Sequence, residues 1–340
     1  MNCMRNGRAN MNHKRVIISR TDSLGDVVLS LPVAAIMKRL FPQCHIIFLG
    51  STYTRPLLEC CSNIDEVACW DELRKGAGLK SLRADMILHV FPRKEIAEAA
   101  KAAGIPLRAG TRNRLYHWSS CNKLIRLSRR RSSLHEAQLN LKLLIPFGAK
   151  RLFYPDEIPD LYGLDRVPDL DDQWSSMLDP ERFNLILHPG SKGSAREWGL
   201  PNFAGLIRLL PPGRFKIFIT GSAAEGELLK GELSDPFADV VNLCGRLDLS
   251  QLISFVANAD GLVAASTGPL HIAAACGRTA IGIYPPIRPM HPGRWAPLGP
   301  CAYTLSLQKR CSRCRKGANC LCMQEINPEM VRDKLSEIFH

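Results

Sequence analysis

No apolar run in this 340-residue sequence approaches the roughly 20 residues that a helix needs to cross a bilayer. Residues 1–13 are polar and lack the apolar centre of a secretory signal, so they read as a loose tail. A G-x-G-x-x-G fingerprint is missing from both strand-to-helix turns where a dinucleotide fold would carry it, which argues against a nicotinamide enzyme. Aromatics are sparse at 7%, charged residues make up 23% and apolar residues 46%, a balance that excludes a disordered chain. At this length two domains are expected, each able to bury a core.

Acidic residues are absent from 99–135, where nine basic ones fall: Lys101, Arg108, Arg112, Arg114, Lys123, Arg126, Arg129, Arg130 and Arg131. This segment supplies most of the net charge of +13. A field of one sign attracts phosphate-rich partners, whether anionic lipid, phosphorylated glycan or nucleic acid. The plainer reading is a solvated basic face. Nucleic acid is the weakest partner, because only Tyr116 and Trp118 interleave with the basic residues and no binding motif is present. Thirteen cysteines without a signal sequence point to a reducing cytosol. Cys44, Cys244 and Cys276 are scattered and read as small core residues. Cys311, Cys314, Cys320 and Cys322 put four thiols within twelve residues and could hold a structural zinc, although the last pair is spaced more tightly than usual. No other metal and no cofactor is expected.

Apolar strands at 14–19, 45–50 and 84–91 alternate with helical patterns at 27–40, interrupted near Pro32, and at 54–61 and 94–103. A Pro- and Asp-rich linker covers 154–172. The pattern then restarts with strands at 183–188, 215–220, 261–265 and 280–284, and helices at 202–210 and 249–259. An amphipathic helix is expected from 328. Strands alternating with helices imply α/β domains with parallel sheets and right-handed crossovers. The expected division is 14–165, 166–327 and a C-terminal helix at 328–340, with two Rossmann-like domains facing a cleft.

Three strand-end turns of the second half are small and polar: Pro189-Gly190-Ser191, Thr220-Gly221-Ser222 and Ser266-Thr267-Gly268. Parallel strands put such turns along one edge, where free N–H groups and helix N-termini suit phosphate. Together they point to a nucleotide-diphosphate site that draws on Ser191, Ser222, Ser266, Thr267, Gly268 and His271. Arg196 or Lys192 could neutralise a diphosphate without a metal. Arg196 is favoured, because Trp198 can fix its segment. Glu225 either accepts from ribose hydroxyls or simply caps a helix. In the first half, Asp26 stands at the first strand–helix connection, where a carboxylate can serve as a general base. Asp22 competes for that role or caps the turn.

These residues together resemble glycosyltransferase family 9, the lipopolysaccharide heptosyltransferases, nearly end to end. The resemblance rests on Arg20-Thr21-Asp22-Ser23-Leu24-Gly25-Asp26, on His188-Pro189-Gly190-Ser191 through Arg196-Glu197-Trp198, on Thr220 to Glu225, on Ser266 to His271 and on Arg294-Trp295. It implies a GT-B fold with the donor in the C-terminal domain and the acceptor on the N-terminal one. It implies metal-independent, inverting transfer of a heptose from ADP-heptose to the inner core. Asp26 then matches the family's base, Arg196 its diphosphate-binding Lys, and Thr267, Gly268 and His271 its donor-diphosphate residues. Glu225 matches a ribose contact. Ser266 departs from the Asp common there, which contacts the sugar, so the identity of the sugar turns on this position. The implied partners are an ADP-heptose-like donor and an anionic lipid A–Kdo-like acceptor. The implied location is cytoplasmic, peripheral to the inner face of the plasma membrane. Arg112 and Arg114 are expected to meet acceptor carboxylates or phosphates, and Arg129-Arg130-Arg131 to face the membrane. A relative using another nucleotide sugar or acceptor, or a silent sugar-nucleotide binder, would share these motifs.

Overall fold

The computed structural model describes residues 13–229, 233, 239–308 and 320–338; the tail expected over 1–13 lies outside them save for His13. The chain divides into two compact units between Arg166 and Val167. Among the described residues no helix is long and apolar enough to cross a membrane.

The N-terminal unit holds a six-stranded sheet of β1 (Arg15–Ser19), β2 (His45–Gly50), β3 (Glu66–Cys69), β4 (Met86–His89), β5 (Leu107–Thr111) and β6 (Lys123–Ile125). Its order is β3-β2-β1-β4-β5-β6, parallel throughout. The C-terminal unit repeats the design with β7 (Phe183–His188), β8 (Phe215–Ile219), β9 (Val240–Asn242), β10 (Gly261–Ala265), β11 (Thr279–Ile283) and β12 (Ala302–Leu305). Its order is β12-β11-β10-β7-β8-β9, again parallel. In each unit the order reverses beside the first strand, between β1 and β4 and between β7 and β10. An open sheet of this kind takes its ligands outside the strand ends at that reversal.

Both sheets are buried on two faces, so their inner strands read as unbroken apolar runs. Leu185, Ile186 and Leu187 of β7 and Leu262, Val263 and Ala264 of β10 are fully buried. The helix Leu200–Leu209 lays Phe203, Leu206 and Ile207 on the sheet, and the helix Pro328–Ile338 packs against it through Val331 and Leu335. Trp198 is fully buried, stacked edge-on to Phe203 at 4.8 Å, and its indole N–H donates to Ile326 O at 2.6 Å. The C-terminal residues thereby fasten the segment after β7.

The helical pattern at 27–40, interrupted near Pro32, is two helices, Leu24–Val28 and Leu31–Leu40. Pro32 begins the second, where its missing N–H leaves no bond unmade, and a helix running through it would have lost one. Strands β3, β5, β6, β9 and β12 were not expected from the sequence. Four of these are sheet edges.

Candidate active site

Arg20 follows the last residue of β1, at the reversal of the N-terminal sheet. Its side chain is 3% exposed and ringed by acceptors. Nε and Nη2 donate to Asp22 at 2.7 and 3.0 Å, and Nη2 also to Asp26. Nη1 reaches Glu136 at 3.5 Å and Asn140 at 3.4 Å. Asp26 stands in the first turn of Leu24–Val28 and also accepts from the Ser23 hydroxyl. On the far side, Arg129 donates to Glu136 at 2.8 Å, to Asn140 at 2.9 Å and to Val90 O at 3.1 Å. Asn140 donates to Leu29 O at 3.0 Å and to Ser30 Oγ at 3.2 Å, and Ser30 donates to Asp26 O at 2.8 Å.

A charge-assisted network therefore runs from Arg129 to Asp26 and fixes the carboxylate's direction. Burial pushes Asp22 up to about 6; the Arg20 charge opposes this and the neighbouring Asp26 charge adds to it. Asp26 keeps 19% of its side chain exposed, so a reactant proton can reach it. Glu136, Asn140 and Arg129 had no sequence signal as site residues. Arg129 was expected to face a membrane, but it turns inward because Glu136 is buried beside it; Arg130 and Arg131 are exposed.

In the C-terminal sheet β10, β7 and β8 are neighbours, so the three polar turns share one edge. His188 ends β7, and its Nδ1 is hydrogen-bonded to Thr220 Oγ1 at 2.9 Å. Burial pushes His188 down to about 4, so it is neutral at physiological pH. Glu225 accepts at Oε2 from the Ser222 N–H and hydroxyl, both at 2.7 Å, closing a capping box on the helix Ala223–Leu228. Its Oε1 lies against Gly190, where a Cβ would fall 1.9 Å away. Only glycine at 190 lets the first two turns meet. The Glu225 carboxyl is held below its ordinary range. Desolvation opposes this, and the Ser222 bonds outweigh it, with the Lys192 charge adding.

The Ser191 hydroxyl donates within its own loop, to Glu197 at 2.8 Å, and the Ser191 N–H donates to the same carboxylate at 2.9 Å. Lys192 is exposed, in a left-handed conformation with φ of 49°, and Arg196 is half-buried. Thr267 is the N-cap of the helix Gly268–Ala275, yet its side chain makes no capping bond. It is 5% exposed, and its Oγ1 has no partner among the described residues. His271 lies one turn in, 3% exposed. The Ser266 hydroxyl is bonded to the buried Tyr284 phenol, which donates to Trp295 O at 2.6 Å.

Arg112 and Arg114 lie apart from these groups within their unit's sequence, exposed on the connection after β5. Cys311 and Cys314 are outside the described residues, while Cys320 and Cys322 are buried in the C-terminal core beside Met323.

Comparison with known proteins bears on the family and the fold. The model of glycosyltransferase family 9 (heptosyltransferase) matches residues 76–323. A putative glycosyltransferase of Haemophilus influenzae is 27% identical over 84% of this chain and 86% of its own. Lipooligosaccharide heptosyltransferase 2 of the same organism is 24% identical over 95% of this chain and 99% of its own. The structure of Escherichia coli ADP-heptose LPS heptosyltransferase II superposes with a TM-score of 0.73 at 22% identity, covering 95% of this chain and 98% of that one. The fold is thus the α/β GT-B class, built from two Rossmann-like units.

Proposed function

The chain belongs to glycosyltransferase family 9, the heptosyltransferase family, and from that premise we propose that it moves a heptose from an ADP-sugar to the inner core of lipopolysaccharide, with inversion and without a metal ion. The observation that carries this reading is Thr267. A buried hydroxyl left without a partner costs about 1–3 kcal/mol. A diphosphate oxygen supplies the missing partner, and the helix N-terminus behind Thr267 favours its charge. Gly268 lets the backbone approach, and His271 and Arg196 bring further donors. Glu225, through Oε1, takes the ribose hydroxyls beside Ser222, and Ser191 shapes the loop that carries Arg196.

The N-terminal unit serves the acceptor. Asp26 takes the proton of the acceptor hydroxyl as that oxygen attacks the anomeric carbon. The bond to the diphosphate oxygen breaks on the opposite face, so the configuration inverts and ADP leaves with the bonding electrons. Fixed cations and N–H groups around the leaving group supply a large part of the acceleration. Arg112 and Arg114 meet the acceptor's carboxylates or phosphates. The protein works on the cytoplasmic side, at the inner face of the plasma membrane.

Ser266 favours a second reading, a related donor sugar, because its hydroxyl is tied to Tyr284 and offers no carboxylate to the sugar. One screen separates the two: thermal shift and transfer by the purified protein with ADP-heptose, other ADP-sugars, and UDP- and GDP-sugars. A shift and turnover confined to ADP-heptose are expected. Turnover with another sugar alone selects the second reading, and no shift with any ADP-sugar overturns both.

A further inference from the structure

The connection between β5 and β6 exposes what the rest of the fold hides. Leu115 is 89% exposed and Trp118 60% exposed. Arg112 and Arg114 are exposed on the same connection, and Arg126, Arg130 and Arg131 are exposed just after β6. None of these five arginines is engaged by an acidic side chain among the described residues.

The connection is held firmly. The Arg112 N–H donates to Ile125 O at 3.0 Å, the Trp118 indole to Arg112 O at 3.0 Å, and Arg108 to Ser120 O at 2.7 Å. Beneath it the fully buried His117 is bonded through Nδ1 to Thr111 O at 2.8 Å and stacks on His89, ring centroids 5.5 Å apart. The fold therefore keeps a Leu and a Trp out in water in a fixed pose. Single exposed apolar residues are ordinary. A Trp three residues from a Leu, among unpaired arginines and within a stretch free of acids, has the composition of a segment that enters a membrane interface.

We propose that 112–118 is a membrane anchor: Leu115 and Trp118 enter the interfacial zone of a bilayer carrying anionic phospholipid, while Arg126, Arg130 and Arg131 face its headgroup phosphates and Arg112 and Arg114 stay with the acceptor. The anchor rests on the transferase reading only in that a lipid-borne acceptor gives it a purpose. It brings the acceptor side of the enzyme to the surface where the acceptor lies. Trp sits naturally at headgroup depth, Leu reaches further in, and Arg keeps its charge at the phosphates.

The test is co-sedimentation of the full-length protein with vesicles of phosphatidylglycerol and phosphatidylethanolamine, against vesicles of phosphatidylcholine alone. Wild type should bind the anionic vesicles, more weakly as salt rises. Leu115→Ser and Trp118→Ser should each bind at least about fivefold more weakly, from the lost apolar insertion. Their turnover on an acyl-free acceptor should stay at the wild-type value, and their melting temperatures within about 4 °C of it, since Trp118→Ser gives up one exposed hydrogen bond. Binding of both variants at wild-type strength overturns the proposal, as does a wild type that ignores anionic vesicles. A wild-type dimer that Leu115→Ser dissociates overturns it too, because the patch would then bind a second copy of the chain. Vesicle binding that depends on Leu115 and Trp118 without any sugar transfer sinks the transferase reading and leaves the anchor standing.

Discussion

Glu136 is one buried carboxylate set between two guanidinium groups, 2.8 Å from Arg129 and 3.5 Å from Arg20. Glu136→Gln keeps the shape and removes the charge, leaving two cations facing each other in a dry setting. Breaking a buried pair in this way costs about 3–5 kcal/mol. An unfolding free energy lowered by that amount in urea titration is expected, with turnover falling because Asp26 loses its fixed direction. Asp26→Asn should behave differently. Arg20 keeps Asp22 as its partner, so stability should change little, while loss of a general base removes about a hundredfold or more of kcat. Donor affinity by calorimetry should stay intact; wild-type turnover in this variant would remove Asp26 as the base. Asp22 has its own signature. Its carboxyl, pushed up to about 6 by burial, carries a proton below that pH. Above it, three carboxylates, Asp22, Asp26 and Glu136, lean on Arg20. The pH profile of kcat/KM should bend near 6, and Asp22→Asn should remove the bend.

At the scale of elements, the donor edge depends on one close approach. Gly190→Ala would put a methyl group 1.9 Å from Glu225 Oε1. The Glu225 carboxylate must then leave, and the helix Ala223–Leu228 loses the reciprocal half of its capping box, the bonds from the Ser222 N–H and hydroxyl. The donor KM should rise at least tenfold, with kcat changed less because Asp26 lies in the other unit. If kcat alone falls, the edge is not where the donor binds. This edge was legible in the sequence because its signals are local: small polar residues follow apolar strands within a few positions. The Arg20–Glu136 contact was not, because its partners lie 116 positions apart and nothing in either segment names the other. The inward turn of the Ser191 hydroxyl was also hidden, since Glu197 and a ligand compete for it and spacing cannot rank them. The strands left unread fail for a physical reason. β3, β6, β9 and β12 are edges, paired on one side and half exposed, so they lack the continuous apolar run that marks an inner strand. β5 sits beside an edge and carries Arg108 and Gly110, which break the pattern. The break within 24–40 was legible, because Pro32 cannot continue a helix from the preceding turn.

Taken as a whole, the molecule buries a neutral histidine at a strand end beside the reversal of each sheet, His89 in β4 and His188 in β7. Burial pushes His89 down to about 3, and the nearby His117 and Arg108 charges add to this. Burial likewise pushes His188 down to about 4, with Glu225 opposing and Lys192 adding. In the unfolded chain both titrate near 6.5. Between 6.5 and the native values the unfolded chain therefore binds protons that the native one refuses, so stability falls as the pH drops through this window and is level above it. For His188 the difference amounts to about 3 kcal/mol by pH 4. Asp22 pulls the other way. Its raised value makes the native state bind the extra proton between about 6 and 3.8, which offsets part of the loss in the N-terminal unit. The C-terminal unit has no such offset from Glu225, whose lowered value also weakens that unit on acidification. Thermal unfolding followed from pH 7.5 to 4 should therefore show stability falling below about 6.5. His188→Gln keeps a hydrogen bond for Thr220 and removes the titrating ring, so it should flatten the C-terminal transition's pH dependence and leave that of the N-terminal unit. A variant whose slope matches wild type would mean that His188 titrates in the native protein as it does in the unfolded chain, and that burial does not hold it neutral.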